Sequence, residues 1–90
     1  MIVMASIEKL IAAMRENHAN VRYGDAKRVC EHFFGKPRQG GGSHCVFKMP
    51  WPGDPRVNIQ EGPGGKAKVY QVRQILLAIE KLELERGNGG

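Results

Sequence analysis

The chain has 90 residues, of which 41% are hydrophobic, and its fourteen Lys or Arg outnumber nine Asp or Glu to give a formal net charge of +5. That length supports one small hydrophobic core and no second one, so the chain reads as a single domain. Two cysteines exclude a disulfide framework, and Met1-Ile2-Val3-Met4 is too short to span a bilayer and lacks the basic flank and cleavage site of a secretory signal, so a cytoplasmic location is expected.

In chain order, residues 1–5 read as an N-terminal extension. Ser6 is a natural N-cap, and Ile7, Leu10, Ile11 and Met14 follow at the spacing of one buried helical stripe that ends near Asn17. Asn17 to Asn20 reads as a turn. Tyr23, Ala26, Cys30 and Phe33 then repeat the helical spacing, with Asp25 where a negative charge suits a helix N-terminus, and Gly35 where a left-handed residue closes it. A second helix is therefore expected from Tyr23 to Phe34.

From Lys36 the period changes from helical to two. Lys36 to Gln39 reads as a short edge strand, because Pro37 has no N–H for a ladder. His44 to Met49 and Arg56 to Gln60 read as two strands joined by the turn-forming Pro50-Trp51-Pro52-Gly53-Asp54-Pro55. Gly62-Pro63-Gly64-Gly65 closes the sheet region. Val72, Ile75, Leu76, Ile79 and Leu82 mark a third helix, ended by Gly87 and a Gly-rich tail over 87–90. Alternation points Cys45, Phe47, Val57 and Ile59 toward the helices and leaves His44, Lys48, Arg56, Asn58 and Gln60 on the opposite face. Cys30 and Cys45 both read as core thiols.

Charge is unevenly distributed. Lys36 to Arg73 holds seven Lys or Arg but only Asp54 and Glu61 as acids, while the remainder carries seven of each. The excess positive charge therefore falls on the segment containing Gly40-Gly41-Gly42-Ser43-His44, which favours a polyanion or an acidic protein as partner. Glycine lets a phosphate approach the backbone, and an imidazole titrating near neutrality can carry a proton, a pairing suited to a phosphodiester. Neither glycine run has the spacing of a phosphate-binding loop. Cys30, His32, His44 and Cys45 lack the paired Cys-x-x-Cys spacing of a zinc site, so no metal or other cofactor is expected. His18, in a turn, and His32, on a helix flank, read as structural or exposed. Trp51 either stacks on a base or caps the core.

Four stretches resemble the HicA family of toxins, the ribonuclease half of a bacterial toxin and antitoxin pair. They are Phe34-Gly35-Lys36-Pro37-Arg38-Gln39, Gly42-Ser43-His44 with Val46-Phe47, Arg56-Val57-Asn58-Ile59, and Gly65-Lys66-Ala67-Lys68 with Val72-Arg73-Gln74-Ile75-Leu76. The likeness spans about half the chain. It departs from the commonest members in its additional helix, Tyr23 to Phe34, and in Met49-Pro50-Trp51 where a basic or histidine residue often ends the central strand.

The resemblance implies an α+β fold like that of double-stranded RNA-binding domains, a three-stranded antiparallel sheet with helices on one face in the order α-α-β-β-β-α. It also implies a metal-independent endoribonuclease acting on messenger RNA, with His44 as the catalytic residue and a HicB-type antitoxin as partner. In that reading His44 is the general base on a ribose 2′-hydroxyl, and Lys48 or water protonates the leaving oxygen. Gly42, Ser43, Lys48, Arg56, Lys66, Lys68 and Arg73 are the candidate RNA contacts. Two other readings stay open on the residues alone: a non-catalytic RNA-binding module of the same fold, and a basic domain that docks an acidic protein.

Overall fold

The computed structural model describes residues 6–39, 42–51 and 56–89. Helix α1 spans Ile7–Glu16, α2 Tyr23–Phe34 and α3 Val69–Gly89, with strands β1 Arg38–Gln39, β2 Cys45–Lys48 and β3 Arg56–Ile59 between α2 and α3. Residues 1–5 and most of the β2–β3 turn, 52–55, lie outside the described residues, as do Gly40 and Gly41.

The local signals account for the helix ends. The Ser6 side chain accepts a hydrogen bond from the Lys9 N–H at 3.2 Å, satisfying one of the orphan donors of α1. Asn17 ends that helix and accepts the Ala19 N–H on its Oδ1, which fixes the turn before Val21. Gly35 follows α2 with φ +83° and ψ −160°, a conformation that a side-chain-bearing residue adopts only under strain.

The three strands form an antiparallel sheet in the order β1-β2-β3. Register pairs Arg38 with Val46 and Gln39 with Cys45 on one side of β2, and Cys45 with Ile59, Val46 with Asn58, Phe47 with Val57 and Lys48 with Arg56 on the other. Cys45, Phe47, Val57 and Ile59 are buried, whereas Lys48 and Arg56 are exposed and Val46 and Asn58 half-buried. The faces are those that alternation assigns. Beneath the covered face lie Met14 from α1, Val29 and Cys30 from α2, and Val72, Ile75 and Ile79 from α3, so one core joins the three helices to β2 and β3.

The strands are one or two residues shorter at their ends than the sequence reading, with His44, Met49 and Gln60 outside them, and two larger features also differ. Helix α3 begins at Val69 and continues to Gly89 rather than stopping at Gly87. Backbone i to i−4 bonds need no side chain, and the cost of glycine in a helix, about 1 kcal/mol per residue, does not forbid continuation where no proline intervenes. The chain also keeps pairing beyond the glycine run: a 3₁₀ turn at Pro63–Gly65 brings the Lys66 carbonyl within 2.7 Å of the Gly62 N–H. Bridges then join Glu61 to Ala67 and Arg22 to Lys66, with the Ala67 N–H on the Val21 carbonyl at 2.8 Å. These contacts between distant segments carry no periodic signature.

Candidate nucleic-acid interface

His44 precedes β2 by one residue, in phase with Val46 and Lys48. It is half-buried and stands apart from the core cluster. Extending the ladder by one residue sets it opposite Gln60, at the end of the sheet from which the chain leaves β3. The turn that presents it is tied down on both sides. Ser43 Oγ accepts the Glu61 N–H at 3.0 Å, and the Ser43 carbonyl accepts the Tyr23 hydroxyl from the start of α2. Gly42, at φ +61°, supplies the left-handed residue that turns the chain into this position.

Tyr23 is the residue that sequence reasoning underused, as it looked only like part of an apolar stripe. Its hydroxyl also lies 3.2 Å from Cys45 Sγ. Burial, and after it the hydrogen bond with Cys45, raises the phenol well above its ordinary value of 10.0, so it stays protonated and able to donate to the Ser43 carbonyl. Cys30 lies in the same interior, and burial, with Cys45 as the lesser cause, pushes its thiol up to about 12. Both cysteines are free and buried. We expect Tyr23→Phe, which keeps the ring and deletes the donor, to cost about 1 kcal/mol. Amide exchange at Ser43 to Cys45 should quicken in this variant, and unchanged protection there would remove Tyr23 from this role.

Gln71 is the other unanticipated support. It is buried on α3, and its Oε1 accepts the Gln60 N–H at 3.0 Å just past the end of β3. A glutamine within the apolar run of α3 is the only sequence signal for it.

The candidate contacts fall into three groups. Gly42, Ser43 and His44 lie at one end of the sheet beside the segment that carries Lys66 and Lys68, joined to it by the Ser43–Glu61 hydrogen bond. Both lysines are exposed just before α3, whose first turn contains no acid. Lys48 and Arg56 are cross-strand partners on the open face, where with Arg38 and Val46 they line a shallow depression. Four residues of strand, roughly 13 Å, separate Lys48 from His44. Arg73 is set apart: it borders a groove with Arg15, His18, Leu76 and Glu80, between α1 and α3. Trp51 is half-buried against the core with the Lys81 ammonium 4.7 Å from its ring centroid, which is the core-capping arrangement. His32 is exposed and packs edge-on against Phe33, and His18 is half-buried in the turn after α1. Among the described residues no three His, Cys, Asp or Glu side chains form a metal-ligand group, and no helix is long and apolar enough to cross a membrane.

The open face thus offers Arg38, Lys48 and Arg56 with His44 at its end, the polar Asn58 between them and Gln60 opposite His44. No acidic residue occupies these described face positions. Cations at strand spacing can hold successive phosphates, and a half-exposed imidazole at their end can exchange a proton with a group bound there. Comparison of the chain with protein families, with curated proteins and with solved structures gives no match. The family likeness therefore rests on the motifs quoted for it.

Proposed function

We propose that this protein is a metal-independent endoribonuclease of the HicA type, the toxin of a toxin and antitoxin pair, with His44 as its catalytic residue and a HicB-type antitoxin as its partner. The observation that carries the reading is the setting of His44: outward in phase, half-buried, and fixed by a turn held from both α2 and the segment after β3. The helix-backed three-stranded sheet is compatible with the finer likeness to double-stranded RNA-binding domains, which belongs to the same proposal.

In this mechanism the His44 imidazole takes the proton of a ribose 2′-hydroxyl. The 2′-oxygen attacks the adjacent phosphorus, a 2′,3′-cyclic phosphate forms, and the bond to the 5′-oxygen breaks. Lys66, Lys68 and the backbone around Gly42 and Ser43 are the groups assigned to stabilise the charge that develops on the phosphate. Lys48 and Arg56, roughly 13 Å along the strand, suit phosphates further along the RNA rather than the scissile one, which leaves water to protonate the departing oxygen. The test is induced expression of wild type beside His44→Ala, with growth, transcript integrity and RNA binding read together.

A further inference from the structure

We propose that the outward ridge of α3 is a self-association surface, through which two copies of this chain pair as an antiparallel, two-fold dimer. Tyr70, Leu77 and Leu84 are 58%, 65% and 67% exposed, unusually open for such side chains on a helix whose other apolar residues are largely buried. They recur every seven residues, so they form one line along the helix, about 21 Å long and drifting by only about 20° per repeat. Seven-residue recurrence is that of one of the two apolar positions of a paired-helix seam.

The charges beside the ridge choose the occupant. Arg73 and Glu80 lie on one flank and Gln74 and Lys81 on the other, all four exposed. A two-fold axis through Leu77, perpendicular to an antiparallel pair, sets each flank against the same flank of the second copy. Position 73 of one copy then lies level with 81 of the other, and 80 with 74, so on the shared flank Arg73 comes within about one residue of Glu80 of the second copy, twice. Tyr70 of each copy then lies over Leu84 of the other, and Leu77 meets Leu77. A parallel pairing leaves Arg73 without an acid and asks Lys81, already placed over the Trp51 ring, to serve Glu80.

The surface shape fits as well. Leu77 borders two depressions, one shared with Arg15 and Leu76, the other with Trp51 and Ala78, so a facing side chain can settle beside Leu77 rather than upon it. Helix α3 packs on the covered side of the sheet, and pairing through its outer ridge leaves the open cationic face accessible. Arg73 accordingly serves this interface rather than the RNA.

Three apolar side chains per copy make a small interface compared with the ~800 Å² per partner typical of stable complexes, so the expected dissociation constant is on the order of 10–100 μM. Sedimentation equilibrium of the full chain should show a monomer and dimer mixture in that range. Leu77→Lys, an exposed substitution whose folding circular dichroism will report, should weaken the dimer at least about tenfold. Arg73→Glu should weaken it, and Arg73→Glu with Glu80→Arg should restore it. Leu77→Cys should form an intermolecular disulfide with itself under mild oxidation, the native thiols being buried. A wild type that stays monomeric to about 0.5 mM overturns the proposal, as does a dimer indifferent to Leu77→Lys or not rescued by the charge exchange. All these readings concern association alone, so loss of ribonuclease activity does not bear on them.

Discussion

Replacing His44 with Ala is expected to lower RNA cleavage by roughly a hundred- to ten-thousandfold, the usual contribution of a positioned general base, and to abolish growth arrest on induction. The fold should be untouched, because His44 is half-buried and outside the core cluster. RNA binding should also persist, since the cations that would hold phosphates are elsewhere: Lys48 and Arg56 on the strands, Lys66 and Lys68 before α3. Four such contacts to a single strand predict that log affinity falls with log salt at a slope of about −3. Three outcomes separate the functional readings. Cleavage lost with binding retained supports the enzyme. Binding with no cleavage by wild type identifies a non-catalytic RNA module, and no RNA binding even at low salt leaves the protein-docking domain.

Phe47→Ala is expected to be the most damaging single substitution in the sheet. Phe47 is fully buried at the centre of β2, opposite Val57 and beneath the helices. Its removal should cost about 3–5 kcal/mol, a large part of the roughly 5–13 kcal/mol that a chain of this length holds in total. The melting temperature should drop by about 15–30 °C. Val46→Ala, one residue earlier on the open face and only half-buried, is the control and should cost less than about 1 kcal/mol. Equal melting of the two variants would mean that the faces of β2 have been assigned the wrong way round.

The open cationic face and the buried opposite face were legible because a strand has a period of two. Once Phe47 is inside, Lys48 and Val46 must be outside, and His44 shares their phase. The helices were legible for a related reason: Ser6, Asn17 and Gly35 act on their own neighbours through caps and positive φ, which need no tertiary partner. What the neighbourhood of His44 is made of was not legible. Tyr23 is twenty residues from Ser43, and Glu61 eighteen, so neither hydrogen bond leaves a mark in local pattern or composition.

The basic stretch from Lys36 to Arg73 shows the same division. Sequence counts charges along the chain and groups seven cations together. Folding then sends Lys48 and Arg56 to one face, Lys66 and Lys68 to the end beside Ser43, and Arg73 to the outer side of α3. Likewise the apolar spacing of α3 marks Val72, Ile75, Leu76, Ile79 and Leu82 as its inward stripe but does not show that Tyr70, Leu77 and Leu84 are left uncovered.

By itself, then, the order of residues determined the identity and sequence of the helices and strands, the inward side of the helices and of the two central strands, and the histidine worth testing, because those depend on periods and caps that act over a few residues. Tertiary structure alone decided which cations share a surface, how the Ser43 turn is held, and which apolar side chains remain exposed. Those depend on how segments many residues apart are brought together, and chain separation holds no record of distance in space.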